Sequence, residues 1–235
     1  MGNPKSFNKI INKFQKWTEV CKKECPDLKD AIIKINDSAN RKKNYEVENT
    51  IVFNRDLLKI ENPKYILVAD NPGKEEQRED RQIYLTGQAG KCARNFFMKN
   101  GLVDDFEKEV AVLNKCCIHT HSSADLKKLD SFKDLVESSQ YLMADIAVDM
   151  HKIFECKLWV IGCSELKRKG IFEPFLNRIK ERYSSDAEYL RGLVFFHPHF
   201  SYGNFQKNIN TVKSGNPLIS MNKAVGIAGK RIIDI

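Results

Sequence analysis

The chain has 235 residues, 42% of them hydrophobic and 10% aromatic, which suits one large α/β domain or a domain with a small extension and places it among ordinary globular proteins. No run approaches the ~18 uninterrupted apolar residues of a membrane span, and "MGNPKSFNKI" lacks the apolar core of a signal peptide, so a cytoplasmic, non-secreted protein without membrane association is expected. The 39 Lys and Arg against 31 Asp and Glu leave a net charge of +8, which suits a phosphate-bearing partner but also occurs on lysine-rich proteins that bind none.

Taken in chain order, residues 6 to 24 place Phe7, Ile10, Ile11, Phe14, Trp17 and Val20 at helical spacing, an amphipathic helix with a core-facing stripe. A shorter helix runs from Pro26 to about Ile35, followed by the polar, basic loop "NDSANRKKN". "KYILVAD" (64–70) is the first strand, apolar throughout as in a parallel sheet buried on both faces. A charged loop leads to "GQAG" and a helix to about Asn100, then to the second strand, "EVAVLNK". Asp130 to Phe154 is a long helix with Phe132, Leu135, Leu142, Ile146, Met150 and Ile153 on one stripe. "KLWVIG" is the third strand, Ser164 to Tyr183 is mostly helix, and "GLVFFHP" is the fourth strand. A polar loop and a last helix in "PLISMNKAVGIAGKRII" close the chain. Alternating strands and helices predict a four-stranded parallel sheet with helices on both faces, residues 1–60 forming a helical extension on a core of residues 61–235.

Seven cysteines, Cys21, Cys25, Cys92, Cys116, Cys117, Cys156 and Cys163, match no disulfide framework and read as reduced thiols. Cys21 and Cys25 lack a second pair for a zinc site, and no HExxH occurs, so no metal is expected.

In open parallel sheets, ligands bind beyond the carboxyl ends of the strands. Strand one ends in Asp70-Asn71-Pro72-Gly73, which offers a base, an amide and a tight turn, or simply an Asx-Pro-Gly turn. Gly87-Gln88-Ala89-Gly90-Lys91 opens a helix with free amides that suit an anion. Strand two ends in Asn114, whose amide can read a pyrimidine edge, accepting from N3–H and donating to O4, or can be a satisfied core group. Strand four ends in His197-Pro198, where a histidine can donate to developing negative charge or serve structure alone.

"ADNPG", "YLTGQAG", "VLN" and "FFHPHF", in that order over residues 62 to 205, resemble the uracil-DNA glycosylase superfamily. The first motif resembles the Asn-Pro-Gly branches, which are mismatch-specific or single-strand-selective. "TGQAG" is similar to the Gly-x-Ala-Gly of the iron–sulfur branches. The resemblance implies a three-layer α/β/α sandwich and hydrolysis of the N-glycosidic bond of uracil or a related deaminated or modified base in single- or double-stranded DNA. It implies that Asn71 positions the water, Asn114 reads the base edge and His197 stabilises uracil O2. Asp70 stands where the iron–sulfur branches carry an acidic residue, and is expected to assist the water. Leu85 stands where an aromatic is usual, with Tyr84 adjacent, so both are expected at the base. Gly73 leaves room at C5 of the base. Phe200 or Tyr202 is expected to fill the emptied stack. The cysteines do not reproduce the cluster ligands of the iron–sulfur branches, so no cofactor is expected, and the chain is read as a monomer. Two readings compete: a member of this fold that binds nucleic acid without turnover, and an unrelated flavodoxin-like nucleotide or cofactor binder.

Overall fold

The computed structural model describes residues 4–40, 46–186, 188–200 and 203–232. The helices are α1 (Pro4–Glu24), α2 (Leu28–Ser38), α3 (Gln88–Lys99), α4 (Phe106–Glu109), α5 (Lys133–Phe154), α6 (Glu173–Tyr183), α7 (Glu188–Arg191), α8 (Asn204–Gly215) and α9 (Met221–Ala228). The strands are β1 (Tyr65–Ala69), β2 (Val110–Asn114), β3 (Lys157–Ile161), β4 (Val194–His197) and β5 (Lys230–Arg231). They form one sheet in the order β2-β1-β3-β4-β5. The first four strands are mutually parallel, and β5 runs antiparallel to β4. The fifth strand corrects the four-stranded expectation: the last helix stops at Ala228, and the chain turns at Gly229 to cover the open edge of β4.

Strand side chains alternate between two hydrophobic clusters. Ile66, Val68, Ala111, Leu113, Leu158, Val160, Val194 and Phe196 join α1, α2, α5 and α6. Tyr65, Leu67, Val110, Val112, Trp159, Ile161 and Phe195 join α3, α8 and α9. The extension belongs to the first cluster, with Phe7 packed edge-on to Phe154 (5.3 Å) and Phe14 against Phe53 (5.0 Å). Its buried stripe passes through Thr18 and Cys21, while Val20 is 40% exposed, because Val20 lies about 120° round the helix from Phe14.

Two further departures shape the site. The stretch expected as a polar loop after strand four contains α8, whose Phe205, Ile209 and Val212 form an i, i+4, i+7 stripe on the second cluster. The helix expected from Ser164 begins only at Glu173, because left-handed Gly162 (φ +75°) and Pro174 confine it to the later residues. Residues 162–172 therefore form a loop at the carboxyl edge of the sheet. The basic loop expected around residues 36–44 lies partly outside the described residues.

Candidate active site

β1 leads away to β2 on one side and β3 leads away to β4 on the other, so the loops leaving the two adjacent strands diverge. Such a switch point opens a crevice at the carboxyl ends. A cavity of about 610 Å³ occupies it, lined by Ala69, Asp70, Asn71, Gly73, Glu76, Leu85, Gly87–Gly90, Asn114, Thr120–Ala124, Gly162, Ser164, Glu165, Ile171 and His199.

Asp70 and Asn71 both line this cavity although neighbouring strand residues face opposite ways, because β1 ends at Ala69 and the chain bends there. Asn71 is held on both ends of its amide. Its Nδ2 donates to Thr120 Oγ1 (2.9 Å) and Ile118 O (3.2 Å), and its Oδ1 accepts from Ser123 Oγ (2.9 Å).

Asp70 is ion-paired with Lys115, a residue the sequence reading passed over. Lys115 is fully buried; its Nζ also donates to Ile161 O (2.6 Å) and Gly162 O (3.3 Å) and sits 4.6 Å from the Phe172 ring. Ala69 is paired with Asn114 in the parallel register, so Asp70 and Lys115 leave neighbouring strands at the same level. Gly162 completes the arrangement: a Cβ there would lie 2.5 Å from Asp70 Oδ1 and 3.1 Å from Lys115 Nζ.

Asn114 is 1% exposed, lines the cavity, and has an amide nitrogen with no hydrogen-bond partner among the described residues. A buried donor left unpaired costs roughly 1–3 kcal/mol.

Glu76 was also missed. Its carboxylate accepts from Gly73 N (3.1 Å) and Thr86 N (3.1 Å), tying the Asn-Pro-Gly turn to the loop before α3. Burial pushes its pKa up to about 7 against the opposing effect of these backbone donors. A Glu three residues after a strand-end Gly was the available signal, but the charged run "KEEQRED" hides which carboxylate turns inward.

The α3 N-terminus meets the cavity through Gly87, Gln88, Ala89 and Gly90, and Lys91 is exposed on its outer side. Gly90 is required by packing, because a Cβ would collide with the Leu85 carbonyl. Gly90→Ala should therefore lower stability by about 1–3 kcal/mol, read from urea midpoints, whereas Gly87→Ala, whose Cβ would meet nothing within 4 Å, should leave the midpoint nearly unchanged. Gly73 likewise has open space at its Cβ position. Leu85 lines the cavity in a left-handed conformation (φ +56°), while Tyr84 is buried beneath it with its hydroxyl on Val52 O.

His197 stands apart from the cavity. β2 and β4 are separated by β1 and β3, so Asn114 and His197 are roughly 14 Å apart at ~4.8 Å per strand. The His197 ring lies between Trp159 (5.2 Å) and Phe205 (5.2 Å), under Gly229, where a Cβ would come within 2.6 Å of Cε1. Burial lowers its pKa to about 3. His199 is the histidine that reaches the cavity; burial lowers its pKa too, with Asp70 opposing and Lys115 reinforcing. Phe200 is buried against Phe205 (4.1 Å) and Phe96 (6.2 Å), not held out at a rim. Tyr202 lies outside the described residues.

Among the described residues no group of three or more His, Cys, Asp or Glu could hold a metal ion, the seven cysteines are free, and no helix is long and apolar enough to cross a membrane. No family model, curated protein or solved structure matches the chain.

Proposed function

We propose that the protein is a monofunctional DNA glycosylase that flips uracil or a related deaminated base into the cavity between β1, β2 and α3 and hydrolyses its glycosidic bond with water. The observation that carries this reading is the buried, unpartnered amide nitrogen of Asn114 in the wall of a cavity of about 610 Å³. It calls for a carbonyl acceptor such as O4 of uracil, held at the edge of a flat ring. Helices clustered on both faces of the sheet support the three-layer α/β/α reading.

The chemistry separates a sugar of cationic character from a base of anionic character. In this reading Asp70, held through Oδ1 by Lys115, presents Oδ2 to the water, and anchored Asn71 orients that water. An Asn amide is too weak a base to act alone, which gives the carboxylate its place. His199, neutral because burial lowers its pKa, donates to the departing base in the role first given to His197. One preorganised donor of this kind is worth about 3 kcal/mol. Open space at Gly73 admits substituents at C5.

The test is base release from labelled oligonucleotides carrying uracil, hypoxanthine, xanthine, 5-hydroxymethyluracil or a thymine mispair. Wild type should release at least one base, and Asn114→Ala should cut that release about 10²-fold or more, in line with losing a buried base-reading contact. Asn71→Ala and His199→Ala should also fall, while the His197→Ala rate should follow its stability alone. No release from any substrate by folded wild type that still binds DNA overturns turnover in favour of a non-catalytic lesion binder.

A further inference from the structure

The outward face of α1 has no role in the cavity. Lys5, Lys9, Lys13, Lys16 and Lys23 are all exposed. At 100° per residue they fall within an arc of about 80°, and at 1.5 Å rise they span roughly 27 Å. Lys9, Lys13, Lys16 and Lys23 take part in no ion pair among the described residues. Some basic side chains elsewhere do pair, as in Lys64–Glu109, Arg94–Glu107 and Arg182–Asp149. α1 holds six lysines against Glu19 and Glu24, a surplus of four that is half the chain's net charge of +8. Like charges at i, i+4, such as Lys9–Lys13, destabilise a helix.

We propose that this lysine face is a docking ridge for the sugar–phosphate backbone of a nucleic acid, extending the grip on the strand whose base enters the cavity; the proposal rests on the glycosylase reading for that strand's identity. Two further observations support it. First, the ridge is rigid, because the opposite face of α1 buries Phe7, Ile10, Ile11 and Phe14 in the core. The same burial opposes an anionic lipid surface as the partner, since the apolar face that would enter a bilayer is already occupied. Second, the last turn of α1 is tied to the cavity loop. Lys22 Nζ donates to Asn49 Oδ1 (2.8 Å), and Asn49 Nδ2 donates to Gln77 O (3.0 Å), next to Glu76 in the cavity wall. The chain of contacts fixes α1 relative to the loop that carries Glu76.

The experiment measures binding of the full chain to a fluorescent 30-nucleotide single strand without damaged bases, by anisotropy, across 50 to 200 mM salt. Wild type is compared with a variant carrying Lys9→Gln, Lys13→Gln, Lys16→Gln and Lys23→Gln, all on the solvent face. Losing four phosphate contacts should reduce the slope of log affinity against log salt by about 3. The thermal midpoint should hold, as should base release from a short oligonucleotide confined to the cavity. An unchanged slope with base release intact overturns the ridge and leaves the glycosylase reading standing. A reduced slope in a protein that releases no base upholds the ridge and overturns the catalytic reading. Wild type that binds no strand but binds phosphatidylserine vesicles through these lysines overturns the proposal in favour of a lipid surface.

Discussion

Acidification from pH 7 to pH 4 should unfold the protein cooperatively, driven by three histidines buried in neutral form. His119, His151 and His197 are each at most 1% exposed. Burial lowers their pKa values from 6.5 to about 4, 4 and 3 respectively. A histidine depressed in the folded state contributes stability that is complete above pH 6.5 and lost as pH falls toward the folded value. At ~1.4 kcal/mol per unit, the three together approach roughly 10 kcal/mol, comparable with the whole stability of a typical domain, about 5–15 kcal/mol. Glu76 acts in the opposite sense. Its pKa is raised from 4.5 to about 7, so its contribution is complete below pH 4.5 and lost as pH rises through 7. That offset is about 3 kcal/mol at most, so the histidines win.

Between pH 6.5 and 4.5 unfolding should therefore take up a net of about two protons, a slope near 2.7 kcal/mol per pH unit. Urea titrations at stepped pH, followed by tryptophan fluorescence, measure it. Trp159 lies 5.2 Å from His197 and reports its surroundings. His197→Leu should remove one proton from the slope whatever it does to stability at pH 7. A flat stability profile down to pH 4.5 would rule out neutral burial of these histidines as the determinant.

The second large effect concerns the ion pair beneath the cavity. Asp70→Asn leaves the Lys115 ammonium, fully buried, with two carbonyl oxygens and the face of Phe172 but no counter-charge. An uncompensated buried charge costs about 3–5 kcal/mol. Lys115→Met should cost less, because the Asp70 side chain is 29% exposed and can be solvated through the cavity. The double variant should recover most of the Asp70→Asn loss, since it removes the stranded charge. Urea midpoints of the four proteins close the cycle. Equal, small losses in both single variants, with no recovery in the double, would show that the pair is weakly coupled. Base release adds an independent reading: Lys115→Met keeps the carboxylate but frees it to swing, so its rate should fall further than its stability explains.

Composition and periodicity carried the four parallel strands and most of the helices in order, whereas α8 and β5 emerged only in the fold. Short apolar, β-branched runs at Tyr65–Ala69 and Val110–Leu113 read as buried strands, and the 3.6-residue stripes of α1 and α5 read as helices packed on them. The sequence also marked Asp70, Asn71, Asn114 and the α3 N-terminus as one end of the sheet, since strand ends in a parallel sheet share an edge. Which of them meet follows from the strand order of the folded sheet. Strand order sets lateral distance, and order is invisible in a chain read linearly. Placing β1 beside β2 brings Asn114 to the cavity and Lys115 to Asp70, whereas placing β4 beyond β3 carries His197 into an apolar cage and leaves His199 at the cavity. The Asp70–Lys115 pair could be read only after the register aligned Ala69 with Asn114. Glu76 became distinct from its charged neighbours only when the loop folded back and buried it. Periodicity is local and survives in one dimension, but pairing across strands and the inward turn of one carboxylate among several depend on contacts between distant residues.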